Sequence, residues 1–300
     1  MNILIAGLKT KRQFLRLKEE GEKRGHKVSG CLASDLRILA SKDLFKPLLR
    51  GLNIEEFDLI YLIVGKRLWE WYTVALHLNE KLGTIIINSK AIDPESNFYL
   101  GPAIDYLKQA ENNIPFPKSA VLFSNSSIAD IMGEFSFPVI LKTSLGHRGE
   151  GVFKVENLQD LNKFVEETTK GANSCVIREF IPNDGDIRVF CIGYKAIGAM
   201  KRTSKEGEFR SNISQGGIGS EFDLVKNPEI KELAEKTVKL MRTEVAGVDI
   251  IIDKNTNKPY VLEVNPGPQF DGLETYTETN AALEIIKYFE ELFEKNSTPK

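Results

Sequence analysis

The 300-residue sequence predicts an α/β lobe over residues 1–95 followed by an α+β body of two lobes closing on one cleft. Three observations carry this. Short apolar runs alternate with helical stretches over the first ninety residues. From Phe137 the pattern changes to strands with hairpin-like connections. Near the C-terminal end two apolar runs, each carrying a carboxylate, flank a turn-rich hexapeptide.

In the first lobe Met1–Leu8 reads as a strand, because its apolar run meets Lys9, Lys11 and Arg12 too early for a signal segment or a membrane span. A helix over 11–24 and strands at Val28–Cys31, Leu59–Val64 and Thr84–Asn88 complete a β-α-β alternation, the mark of a parallel sheet covered by helices. The first turn, Ala6-Gly-Leu-Lys-Thr10, lacks GxGxxG spacing, which argues against a dinucleotide site there.

Asp93-Pro-Glu-Ser-Asn97 has turn chemistry and sets the boundary near residue 95, before a helix over Ala103–Asn112. Strands are expected at Pro138–Thr143, Gly151–Val155, Ser174–Glu179, Arg188–Ile192 and Ala196–Arg202, with helices at Asn157–Glu167 and Glu229–Arg242. The two lobes of this body are placed at 96–178 and 179–293. Residues 294–300 are a tail, of which Asn296–Lys300 reads as disordered.

Lysine and arginine (40) nearly balance aspartate and glutamate (42), so no net field calls for nucleic acid or an anionic membrane. Cys31, Cys175 and Cys191 form no CxxC pair and, with only three histidines, no zinc spacing. They read as small buried thiols in a reducing cytoplasm.

The most informative segment is Ala246-Gly-Val-Asp249-Ile-Ile-Ile-Asp253, a polar turn, then Tyr260-Val-Leu-Glu263-Val-Asn265-Pro-Gly267. With the turn centred near Thr256, Asp249 lies across from Glu263 and Asn265 falls on the same face. Val248, Ile250, Ile252, Tyr260, Leu262 and Val264 form the apolar reverse. Opposed carboxylates repel unless a cation separates them, so the three oxygen donors suit Mg²⁺; a solvated acidic sheet face has the same pattern.

Lys142 ends an apolar strand before Thr143-Ser-Leu-Gly146-His-Arg-Gly149-Glu-Gly151, a glycine flap able to aim N–H groups at phosphate, although Lys142 equally suits a strand end reaching solvent. Arg210, Ser211 and Asn212 precede Gly216 and Gly217. That cluster suits either a phosphoryl grip or an ordinary polar loop.

Taken in order, the Lys142 flap, Val176-Ile-Arg-Glu179-Phe180-Ile181, Asp186-Ile-Arg188, Met200-Lys-Arg202, Phe209-Arg-Ser-Asn212, Gly247-Val-Asp249 and Leu262-Glu-Val-Asn265 resemble the ATP-grasp superfamily, most closely its RimK-type glutamate ligases. The resemblance runs from near residue 95 to 293. It implies two lobes clamping ATP, with Lys142 on its phosphates, Glu179 and Phe180 at the adenine hinge, and Asp186 and Arg188 beside the nucleotide. Arg202 and Arg210 would face the transferring phosphoryl group, with Ser211 and Asn212 next to them. Asp249, Glu263 and Asn265 would hold two Mg²⁺ ions, with Mn²⁺ as a substitute.

The implied reaction joins a carboxylate-bearing acceptor (protein, peptide or small molecule) to an amino acid such as glutamate through an acyl phosphate. By analogy the assembly is a homo-oligomer. One departure stands out: Tyr99 occupies a point where the family usually carries lysine. An ATP-binding regulator or scaffold is the alternative that this departure supports.

Overall fold

The computed structural model of the chain describes residues 1–7, 11–63, 69–93, 102–143, 151–169, 174–203 and 218–297. The first lobe comprises β1 (Asn2–Ala6), α1 (Lys11–Lys23), β2 (Lys27–Cys31), a hairpin of β3 (Leu36–Ser41) and β4 (Leu44–Leu49), β5 (Leu59–Leu62), α2 (Trp69–Leu82) and β6 (Ile85–Ile87). Four of these strands form the expected parallel sheet in the order β2-β1-β5-β6. Ile3, Leu4, Ile5 and Leu59 are wholly buried, as strands covered on both faces must be. The β3–β4 hairpin was not foreseen: its apolar residues lie among basic ones, and only Leu36, Ile38, Phe45 and Leu49 reach the core.

The second layer is an antiparallel sheet. After α3 (Pro102–Glu111) come β7 (Ser119–Leu122), the single turn α4 (Ile128–Ile131), β8 (Val139–Thr143), β9 (Val152–Val155), α5 (Leu158–Thr169) and β10 (Cys175–Glu179). The strand order is β7-β10-β8-β9. Val139, Leu141, Cys175 and Ile177 pack with Leu161 and Val165 of α5, so alternation sends Ile140, Lys142, Val176 and Arg178 to the other face.

The third layer holds β11 (Asp186–Ile192), β12 (Lys195–Thr203), β13 (Ile218–Glu221), α6 (Pro228–Leu240), β14 (Val245–Ile252), β15 (Pro259–Pro266), α7 (Asp271–Tyr276) and α8 (Ala281–Ser297). Its five strands run β13-β12-β11-β14-β15. Ile187, Val189, Val248, Ile250 and Val261 form one face, against Ile230, Ala234 and Val238 of α6. The opposite face is split. Phe190, Ile192, Met200 and Val245 join β1, β5 and α8 in one core, while the other end of the same face is polar.

Helix α8 closes that core through Ala282, Ile285, Ile286 and Phe289, the i, i+3, i+4, i+7 spacing of a single buried stripe. It runs to Ser297, so Asn296 and Ser297 belong to the helix and not to a disordered tail. The packing of Phe289 and the bidentate contact of Arg24 with Glu290 (Nε to Oε1 at 2.9 Å, Nη2 to Oε2 at 2.6 Å) supply the tertiary support that short sequence windows do not show.

Candidate functional site between two sheets

The polar end of the third layer is laid out by strand register. Arg202 pairs with Asp186 across β12–β11, and one row further Arg188 pairs with Asp249, which pairs with Glu263. Gly247 faces Asn265 and leaves room for the Arg188 side chain, whose Cδ would be 3.4 Å from any added Cβ. Five charged side chains and one amide thus reach one surface from four strands.

The register depends on an irregularity. Ile250 pairs with Val261 but Asp249 pairs with Glu263, so the ladder skips Leu262. Continued without that bulge, the alternation would send Glu263 to the same face as buried Val261. This corrects the expected apolar reverse: Val261, wholly buried, takes the place assigned to Tyr260 and Leu262, which are half-buried. The predicted Asp249–Glu263 opposition survives because the bulge compensates a turn offset by one residue.

Arg188 donates to both Asp249 oxygens, Nε to Oδ1 at 2.7 Å and Nη2 to Oδ2 at 2.6 Å. Arg202 clasps Asp186 through Nε (3.1 Å) and Nη2, and also reaches Asp249 Oδ1 at 3.1 Å. Asn265 Nδ2 bridges Glu263 Oε1 at 2.9 Å and Asp249 Oδ2 at 3.3 Å. From the facing sheet Lys142 Nζ bonds Glu263 Oε2. The Lys142 ammonium holds the Glu263 carboxyl well below the usual carboxylate range, against the opposing effect of burial, with Asn265 and Arg188 assisting. Burial works against the charge of Arg202, but Asp249 and Asp186 more than offset it and keep the guanidinium protonated.

Three carboxylates and three cations therefore balance at the mouth between the two sheets. Asp186, Arg202 and Asp249 are each 4% exposed, whereas the Lys142 and Glu263 side chains are 41% and 37% exposed and open to the cleft. Asp186 and Arg202, expected beside the nucleotide and the phosphoryl group, sit beneath Asp249 as a buried ion pair. The described residues contain no cluster of three His, Cys, Asp or Glu that could hold a metal. The expected set has two acids and an amide; Asn265 Nδ2 lies within 3.3 Å of one oxygen of each carboxylate, and carboxylate and amide oxygens are the donors that fit a divalent cation.

At the end of β10, Glu179 Oε1 accepts from the Lys118 N–H at 2.6 Å and the Glu179 N–H donates to the Lys118 carbonyl at 2.9 Å, so its carboxylate is engaged. Lys154 Nζ lies 4.8 Å from the centroid of the neighbouring Phe180 ring. Tyr99, Arg210, Ser211, Asn212 and flap residues 144–150 lie outside the described residues.

A family model described as the RimK-like ATP-grasp domain matches residues 103–289. The chain belongs to the RimK-like ATP-grasp family. It is 32% identical over 289 residues, 94% of this chain and 93% of the other, to an Azotobacter vinelandii protein named "Probable alpha-L-glutamate ligase". Its fold is similar to that of a RimK domain ATP-grasp protein of Sphaerobacter thermophilus, with a TM-score of 0.70, 18% identity and 96% and 99% of the two chains covered. It is also similar to the ATP-grasp ligase PsnB, solved with a minimal precursor, Mg and ADP (TM-score 0.69, 17% identity, 97% and 98% covered). This RimK-like chain is an ATP-dependent ligase. Among its described residues no helix is long and apolar enough to cross a membrane.

Sequence reasoning gave no role to Arg178, although a lone cation inside the apolar run Cys175-Val-Ile-Arg-Glu179 was a visible signal. Its guanidinium donates to the Tyr106 hydroxyl, to Ser119 Oγ and to the Leu262 carbonyl.

Proposed function

We propose that the chain joins a carboxylate to the amine of glutamate or a similar amino acid through an acyl phosphate, releasing ADP and phosphate. The observation that supports this best is the convergence of Asp249, Glu263 and Asn265 with Lys142 and Arg188 between two facing sheets. A substrate carboxylate attacks the γ-phosphorus of ATP, ADP departs, and the amine displaces phosphate from the acyl carbon. No protein nucleophile takes part. Lys142, Arg188 and Arg210 hold phosphate oxygens, and position and charge supply the catalysis.

Asp249, Glu263 and Asn265 are assigned to magnesium, two ions per site, which when bound neutralises phosphate charge. Ser211 and Asn212 flank the reacting groups. Phe180 and the backbone of Glu179–Ile181 hold the adenine. Arg202 and Asp186 act from below, fixing Asp249. Residues 1–95 form a lobe that contributes to acceptor binding, and the acceptor is a protein, peptide or small molecule with a free carboxylate. The buried free thiols Cys31, Cys175 and Cys191 suit a reducing cytoplasm.

The test incubates the protein with ATP, Mg²⁺, amino-acid pools and candidate acceptors, following ADP, AMP, phosphate and product mass. Amine-dependent ADP and phosphate release with a new amide mass, lost in Asp249→Ala and with a chelator, is expected. AMP release would overturn the acyl-phosphate mechanism.

A further inference from the structure

The bulge that turns Glu263 toward the cleft sits on β15, the edge strand of its sheet, where the ladder holds it from one side only. The other side is held by the facing lobe. Arg178 Nη2, from β10, donates to the carbonyl of Leu262, the skipped residue, at 3.2 Å. The adjacent Val261 N–H donates to the Pro115 carbonyl at 2.8 Å. The guanidinium is itself oriented by the Tyr106 hydroxyl (3.2 Å) and Ser119 Oγ (3.3 Å), and Tyr106 stacks on Phe116 with centroids 5.6 Å apart. The three described bonds of Arg178 thus go to two hydroxyls and one backbone carbonyl.

A bulge can slip, and a one-residue slip of β15 would set Glu263 opposite Val248 and on the apolar face. A rigid fork donating to the Leu262 carbonyl favours the register that presents Glu263 to Lys142 and Asn265. We propose that Arg178 is a positioning residue of the ligation site: it fixes the Leu262 bulge and so the direction of the Glu263 carboxylate. The proposal rests on the assignment of Glu263 to the metal. It links the two lobes, because β10 belongs to one and β15 to the other.

The experiment compares wild type, Arg178→Met, Arg178→Lys and Glu263→Gln in two measurements. The first is ADP binding by calorimetry with and without Mg²⁺; the second is amide hydrogen exchange over residues 259–266 without metal or nucleotide. Arg178→Met is expected to lose about 10–100-fold of the Mg²⁺-dependent gain in ADP affinity, with Mg²⁺-free binding within about twofold of wild type. Exchange at Val261–Val264 rises by about tenfold, and Arg178→Lys falls between.

Loss of ADP affinity that is equal with and without Mg²⁺ overturns the proposal, as does wild-type exchange in Arg178→Met. If Glu263→Gln loses the Mg²⁺ gain while Arg178→Met keeps it, the positioning role is wrong and the metal assignment stands. If Glu263→Gln keeps the gain, the metal assignment fails and the proposal with it. Should Arg178→Met not fold, the same readings are taken from Arg178→Lys.

Discussion

Replacing Arg202 by methionine tests whether the floor of the site is a buried ion network. The Arg202 side chain is 5% exposed and those of its partners Asp186 and Asp249 are 6% exposed. A unit pair at the 3.1 Å separation of Arg202 and Asp249 attracts by about 5 kcal/mol at an effective dielectric of about 20. Desolvation and repulsion between the two carboxylates offset part of that. What decides the sign is the state left behind: Asp186 loses the Arg202 guanidinium, and among the described residues Asp249 keeps only Arg188 as a cation. Deletions of this kind cost about 3–5 kcal/mol. Urea unfolding followed by circular dichroism should show the midpoint falling by about 1 M or more at unchanged slope. Asp186→Asn placed in the Arg202→Met background should recover about 2 kcal/mol, because it removes a buried carboxylate that has lost the Arg202 guanidinium. A loss below about 1 kcal/mol in Arg202→Met, or no recovery in the double variant, would refute the network as the support of Asp249.

Three further outcomes are expected. Lys142→Met changes stability by less than about 1 kcal/mol because the Lys142–Glu263 pair is partly exposed, yet ligase turnover falls by about 100-fold, read as ADP release. Glu244 is buried, accepts from Ser89 N–H at 3.0 and 3.2 Å and from Ser89 Oγ, and has its carboxyl pushed up by burial. Its stabilising contribution is therefore full below about pH 4.5 and lost as pH rises through the folded value, so denaturation of Glu244→Gln should show a flatter stability profile over that window. Gly185→Ala, at φ +98° with an added Cβ driven into the Arg202 carbonyl, should cost at least about 3 kcal/mol in the same unfolding assay.

The parts of the fold that were legible in the sequence are those whose signal is local. The four strands of the parallel sheet are short apolar runs between polar ones, and the β14–β15 hairpin has a turn-rich hexapeptide between apolar strands. Helices α1 and α6 were legible in the sequence, near 11–24 and Glu229–Arg242. The β3–β4 hairpin and β13 were not, because mixed apolar and charged residues of this kind become strands only when a neighbouring surface takes one face.

For the site, strand alternation across the hairpin sufficed to bring Asp249, Glu263 and Asn265 together, and the family resemblance added Lys142. Spacing alone could not show the bulge at Leu262, since a turn shifted by one residue and a skipped residue cancel in the count between Asp249 and Glu263. Nor could it show that Arg188 and Arg202 both converge on Asp249, or that Arg178 reaches from one sheet to the bulge in another. Outside the bulge on β15, the sequence by itself determined which chemistry-bearing side chains share a strand face, because alternation along a strand is a property of the backbone. Only the tertiary structure decided which of them pair, which are buried and which remain open to a ligand, because register between strands and the approach of two lobes are set by long-range packing.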